Sequence, residues 1–334
     1  MAPATFDVTG IGNAIVDVIA HADDAFLADN AIEKGAMTLI DTARAEELYG
    51  RMGPGIEVSG GSAGNTMAGF AALGGKGAYI GKVADDQLGT VFRHDIRAAG
   101  VRFDTAPLTG GAPTARCLIL VTPDAQRSMN TYLGACVELG PEDIDEDLIA
   151  ASQVTYMEGY LWDPPRAKEA FRKAAAIAHG AGRAVSLSLS DSFCVHRHHG
   201  EFRDLVDNHV DILFANEHEI GALYGTDDFA AALAAVKALG KTAALTRSEK
   251  GAVIVWNGEV YEVPAEPVAK IVDTTGAGDL YAAGFLFGYT RGLDPATCGR
   301  LGAIAAAEII SHVGARPEVA LADLIRAKGI LVPA

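Results

Sequence analysis

From residue 141 onward the chain repeats one unit: a short apolar run rich in β-branched residues, then a longer stretch with helical spacing. The runs "QVTYMEG", "RAVSLSLS", "VDILFAN" and "KTAALTRS" alternate with "PPRAKEAFRKAAAIAHG", "EFRDLVDNH", "EHEIGALYG" and "FAAALAAVKALG". Strands that are apolar throughout must be covered on both faces. Strands separated by helices of this length run parallel. The repeat therefore predicts a doubly wound, mostly parallel α/β sheet with helices on both sides.

The first half adds to the same sheet and then departs from it. "FDVTGIGN" reads as a strand interrupted at Gly10 and Gly12, and "KGAYIGKVA" as another. "TARAEELYGRM" has helical composition with Thr42 as its expected N-cap. "GGSAGNTMAGFAALGG" is a glycine pair opening a small-residue helix, and "DQLGTVFRHDIRAAG" is a helix stopping at Gly100. Between 101 and 135 helical periodicity disappears in favour of short strands joined by Gly-Gly and Pro-Asp turns. The expected organisation is one large α/β domain (1–12, 41–100 and 136–334) and a small β-excursion (13–40 and 101–135) packed over one edge. In open sheets of this kind ligands bind beyond the carboxyl ends of the strands. That puts the turns at 12–17, 60–65, 188–191, 214–219, 246–251 and 273–279 on one rim, where most of the unusual polar and glycine residues fall.

Charge narrows the partners. With 27 basic against 43 acidic residues the formal net charge is −16, a surface that repels nucleic acid and anionic membranes. A small anionic substrate then needs a local site that overrides the global field. The four cysteines lie scattered, with no metal-site spacing, and read as reduced thiols of a cytoplasmic protein. The N-terminus shows no signal-peptide pattern, and no apolar run approaches the ~20 residues of a membrane span. The histidines of "CVHRHHG" (194–200) lack metal-ligand spacing.

The most informative stretch is "IVDTTGAGDLYAAGFLFGYTRG" (271–292), where a Gly-rich loop becomes an apolar helix with a carboxylate, Asp279, at the junction. Backbone N–H groups at a helix N-terminus are unsatisfied and carry the positive end of the dipole, a setting for phosphate. Asp279 cannot itself bind that anion. It can be a helix-terminal charge, or it can accept the proton of a hydroxyl attacking a phosphoryl group held by the loop. No GK[ST] follows the glycines, so the loop is no Walker A motif, and a dinucleotide fingerprint is likewise missing.

"DTTGAGDLYAAGF" resembles the C-terminal signature of the ribokinase/PfkB kinases, and "SGGSAGNTMAGFAALGG" their N-terminal one, in the right order and at the usual separation. The likeness spans essentially the whole chain and is closest to the adenosine kinase branch. "GIGNAIVDV", "AQRSMNTYLGAC", "VDILFANEHEI", "SLSLSDSF" and "HVGARPE" also have counterparts there. Such kinases transfer the γ-phosphoryl of ATP, with Mg²⁺, to a primary hydroxyl of a ribose or other sugar beneath a small β-lid. The resemblance implies a ribokinase-like fold, Asp279 as general base, and an anion hole from Gly276, Ala277 and Gly278. Arg127 would reach toward the transferred phosphate from the lid. Asn13 and Asp17 would bind sugar hydroxyls. Gly60, Gly61 and Ser62 would let backbone approach the ring, with Asn65 at its edge. Alone, Asp17 can also be read as a turn cap.

On the nucleotide side the resemblance points to Asn216, Glu219, Thr246, Ser248, Gly251 and Thr275, with Glu219 organising Mg²⁺ through water. Taken by itself, Asn-x-x-Glu is also a capping box. Ser248 stands where the family pattern "TxGxxG" has glycine. Asp273 and Thr275 match positions that bind K⁺ in several relatives. An adenine base needs apolar or aromatic surfaces, which Met37, Tyr132, Leu133, Tyr160 and Leu161 fall in the right segments to supply. The expected activity is phosphorylation of a nucleoside, adenosine first, with a free sugar such as ribose or fructose as the alternative acceptor and a non-catalytic binding regulator as the remaining one. A monomer or a homodimer is compatible with the family.

Overall fold

Long apolar strands need cover on both faces, and the chain supplies it. The computed structural model describes residues 3–124 and 126–333. Its large sheet has nine strands in the spatial order Glu259–Val263, Ala252–Trp256, Thr242–Thr246, Ile212–Asn216, Ala184–Ser188, Ser152–Glu158, Phe6–Ile11, Gly77–Ile80 and Arg102–Phe103. Neighbours pair in parallel except at one edge, where Ala252–Trp256 runs antiparallel to both of its neighbours. Alternate residues face opposite sides. Val8 joins an apolar cluster with Met67, Phe70, Leu280 and Phe285, whereas Ile11 joins one with Trp162, Phe171 and Phe202. Among the described residues no helix is long and apolar enough to cross a membrane.

Strand order decides where a ligand can bind. From the central strand Phe6–Ile11 the chain builds outward through Gly77–Ile80 to Arg102–Phe103. It then returns to Ser152–Glu158 on the other flank and builds the opposite way. The order reverses between Phe6–Ile11 and Ser152–Glu158, so the crevice of a doubly wound sheet opens above Gly12, Asn13 and Glu158.

A second sheet of five strands, in the order Met37–Leu39, Arg127–Tyr132, Ala115–Val121, Ile15–His21 and Gly55–Gly60, corresponds to the expected excursion. Its membership differs from the segment boundaries read above. Gly55–Gly60 pairs antiparallel with Ile15–His21 and so belongs to the small sheet, while Arg102–Phe103 pairs with Gly77–Ile80 in the large one. Neither strand has a local signal, because "GIEVSG" and "RF" are too short to declare a partner. The helix after residue 41 is capped by the Asp41 side chain, which accepts from Arg44 N–H, rather than by Thr42.

The helix Ala277–Tyr289 is buried at every position from Leu280 to Gly288. It packs closely on Pro295–Ile309: a Cβ at Gly284 would meet the backbone of Leu301, and one at Gly302 the Tyr281 carbonyl oxygen. Small residues at these crossings let two helix backbones come together. The N-terminus of the helix therefore rests on a rigid base.

Candidate active site

Asp279 lies in the first turn of that buried helix. Its carboxylate accepts from Ser62 Oγ at 2.6 Å and from Asn65 Nδ2 at 3.1 Å. Both donors belong to the helix Ser62–Ala72, so two segments more than 200 residues apart meet at one carboxyl group. Burial raises Asp279 from its ordinary value to about 6, opposed by these two hydrogen bonds and by the charge of Arg316. Gly276, the helix N-cap, takes φ 77°, and a Cβ there would press on Ala315. The N–H of Ala277 turns back onto the Thr274 carbonyl at 3.2 Å. Among the described residues the N–H groups of Gly276 and Gly278 have no internal acceptor, the condition for holding an anion.

The second carboxylate of the cleft is Asp17, on the small sheet. Among the described residues no side chain or amide donates to it, so its acceptor capacity is open to a ligand. Burial pushes Asp17 up to about 6, against the charges of Arg316 and Arg127 and with a raising contribution from Asp279. Gly60 lies so close that a Cβ there would run into this carboxylate. Gly61 takes φ 84°, and a Cβ would collide with the Asn13 carbonyl oxygen. Replacing Gly61 by alanine is expected to destabilise the protein by about 3 kcal/mol, adding left-handed strain to a backbone clash. Urea unfolding midpoints measured at constant slope check this. A change below about 0.5 kcal/mol would show that the turn has slack.

Asn13, 3% exposed, donates its side-chain amide to Glu158 at 2.7 Å. Glu158 was not anticipated from the sequence. It ends the strand Ser152–Glu158, is 1% exposed, and also accepts the N–H groups of Ala63 at 2.8 Å and Asn13 at 3.3 Å. Burial raises it to about 7, against those donors. A carboxylate closing an apolar strand, just before a glycine and on the ligand-binding rim, was the signal that could have found it. It fixes Asn13 to the start of the Ser62–Ala72 helix.

On the opposite side, Asn216 and Glu219 form a reciprocal cap. Asn216 Oδ1 accepts the N–H groups of His218 and Glu219, and Glu219 accepts from Asn216 N–H at 3.0 Å and Nδ2 at 2.6 Å. Both readings of Asn-x-x-Glu are therefore compatible, since capping leaves outward lone pairs. Glu219 is 8% exposed, and burial pushes it up to about 7. A hydrated divalent cation held against it would offset that burial. Among the described residues no group of three or more His, Cys, Asp or Glu could hold a metal by itself, so phosphate oxygens would have to complete the shell. Thr246 ends a strand in register with Asn216. Gly251 takes φ 83°, whereas Ser248 accepts a left-handed φ of 51° where the family pattern has glycine.

Arg127 and Asp273 are brought together. Arg127 Nη1 donates to Asp273 Oδ2 in a buried ion pair, side chains 7% and 6% exposed. The same oxygen accepts Gly314 N–H at 3.0 Å, and Oδ1 accepts Thr275 N–H at 3.0 Å. The Asp273 charge is thus matched by a guanidinium, and these residues as arranged do not fit a bound K⁺.

The five residues expected around a base divide. Tyr160 is 41% and Met37 52% exposed, and Tyr132 and Leu133 are half-buried. Leu161 is fully buried among the apolar residues beneath the sheet and cannot face a ligand, because the short helical turn Gly159–Trp162 rotates it inward. Of the 194–200 histidines, His198 binds Asp163 at 2.6 Å and His199 the Leu223 carbonyl at 3.0 Å.

Comparisons with known proteins identify what the whole chain is similar to. The family described as pfkB family carbohydrate kinase matches residues 37–320. A crystal structure of adenosine kinase from Sinorhizobium meliloti is 60% identical, superposes with a TM-score of 0.90, and covers 97% of this chain and 100% of its own. A probable sugar kinase protein from Rhizobium etli is 57% identical with a TM-score of 0.91, covering 98% and 99% respectively. Adenosine kinase of Saccharomyces cerevisiae is 30% identical over 331 residues, 91% of this chain and 94% of that protein.

Proposed function

The chain belongs to the pfkB carbohydrate kinase family, phosphotransferases with an alcohol acceptor, and on that premise we propose that it phosphorylates the 5′-hydroxyl of adenosine from ATP. One arrangement supports the reading above all. Asp279, held by Ser62 and Asn65 at a helix N-terminus, stands in the same cleft as Asp17, and among the described residues the Gly276 and Gly278 amides have no acceptor and Asp17 has no donor. The first suits a reacting hydroxyl. The second suits the vicinal hydroxyls of a ribose, which a carboxylate can accept together. The choice of adenosine draws on the near full-length likeness to the Sinorhizobium meliloti enzyme.

In the proposed mechanism Asp17 and the Asn13 amide hold the ribose against the Gly60-Gly61 turn. The 5′-hydroxyl then lies at Asp279, which takes its proton as the oxygen attacks the γ-phosphorus in line, while the bond from that phosphorus to the β,γ-bridging oxygen breaks and ADP leaves. Gly276 and Gly278 N–H groups receive the transferred group's oxygens. Glu219 and Asn216 would hold Mg²⁺ through water. When bound, that ion neutralises phosphate charge. No step runs through K⁺. Closure of the small sheet excludes water from the transfer.

The test is a panel of acceptors with purified protein, ATP and Mg²⁺, following ADP release. Adenosine is expected to give the highest kcat/KM, above inosine, guanosine, ribose and fructose. Turnover confined to the free sugars would replace the nucleoside assignment with the sugar-kinase one.

A further inference from the structure

Arg316 lies in the loop between the helices Pro295–Ile309 and Leu321–Ala327, 37 positions after Asp279 and outside every residue set discussed so far as ligand-binding. Its guanidinium spans the Gly60-Gly61 turn from both sides. Nη2 donates to the carbonyl of Ser59 and to Ser59 Oγ at 2.8 Å, and Nη1 donates to the Gly64 carbonyl at 3.1 Å. Ser59 is pinned in turn, giving its N–H and hydroxyl to Asp95 at 2.8 and 2.6 Å. Gly64 sits between Ser62 and Asn65, the two residues that hold Asp279. Two residues before Arg316, the Gly314 N–H holds Asp273 at the start of the phosphate-facing loop. One short segment therefore grips both walls of the cleft.

We propose that Arg316 is a positioning residue for phosphoryl transfer: its fork sets the Gly60-Gly61 turn and the first turn of the Ser62–Ala72 helix, and its fixed charge supports the carboxylates of Asp17 and Asp279. A planar guanidinium suits this double task, because it can serve two carbonyls without surrendering charge. The charged and titratable groups around the two carboxylates come from several elements. Asp279 is near Asp17 of the small sheet, and near Tyr156, Glu158 and Tyr160 at the end of the strand Ser152–Glu158. Asp17 is near Cys117 on the adjacent strand and Arg127 one strand further on. Arg316 itself is near Asp95 and Tyr79. Arg127 is already committed to Asp273. Arg316 is the cation with the larger lowering effect on Asp17 and the charge that opposes the burial of Asp279.

The experiment is the pH dependence of kcat at saturating adenosine, where Asp17 is already engaged with the ribose, in the wild type, Arg316→Lys and Arg316→Gln, with the adenosine KM followed alongside and folding checked by thermal midpoint and circular dichroism. The proposal holds only if Asp279 is the base, so a wild-type acid limb near pH 6 that is lost in Asp279→Asn comes first. Arg316→Gln is expected to move that limb up by about one unit, the size of a lost charge in a partly screened cleft, and to raise the adenosine KM. Arg316→Lys should raise KM while leaving the limb in place, because it keeps the charge and loses the fork. A glutamine variant that is slower at every pH with the limb unmoved would overturn the proposal and leave the base assignment standing. If the glutamine variant does not fold, the lysine variant decides: a limb displaced by a full unit with the charge retained overturns it as well.

Discussion

Asp279→Asn is expected to lower kcat by about three orders of magnitude, within the range for loss of a general base, while changing the KM for ATP by no more than a few-fold. Asparagine preserves the shape of the side chain and its place beside Ser62 and Asn65 but cannot take the proton of the incoming hydroxyl. The pH profile carries the same information. A base must be ionised to act, and burial has raised this carboxyl from 3.8 to about 6. Below that value the rate should fall about tenfold per unit, and above it the rate should level off. The variant should lose this limb. Stability moves in the opposite direction. An acid whose folded-state pKa is raised binds its proton more tightly in the folded protein, so its contribution is greatest at low pH and declines as pH rises from about 4 to about 6. Asparagine carries no such penalty. The thermal midpoint of the variant relative to wild type should therefore rise across that window. A variant that is slow at all pH values yet keeps the limb would assign the limb to another carboxyl and remove Asp279 from the proton transfer.

Asp17→Ala is expected to raise the adenosine KM by about a hundredfold, the loss of two charge-assisted hydrogen bonds to vicinal hydroxyls, with the KM for ATP nearly unchanged. Among the described residues no donor compensates this carboxylate, which leaves its oxygens free for the proposed ribose hydroxyls. Comparison with 2′- and 3′-deoxyadenosine sharpens the expectation. Each should already lose part of the affinity in the wild type and little more in the variant, because the hydroxyl and the carboxylate remove the same bond. If only the ATP KM responds, Asp17 does not hold the acceptor.

Legibility in the sequence followed the range of the interaction. The parallel sheet could be read because strand length, apolar content and helix spacing repeat locally through "QVTYMEG", "RAVSLSLS" and "VDILFAN". Asp279 could be read because the glycines, the carboxylate and the apolar helix that make it useful are consecutive. The short strands Gly55–Gly60 and Arg102–Phe103 escaped, since which sheet they join depends on partners 35 to 45 and 24 residues away. Leu161 suits a base pocket by residue type and is instead turned into the core by the bend after Gly159.

Composition and local pattern were enough to determine the class of sheet and to single out the rim and the Gly-rich loop on which the proposed site is built, because each depends on neighbours along the chain. Only the tertiary structure decided that Glu158 anchors Asn13, that Arg127 spends its charge on Asp273, and that Arg316 stands behind both cleft carboxylates. Those outcomes depend on burial and on charges that approach through space, and a buried carboxylate has no distinct chemistry until the surrounding fold has removed its water.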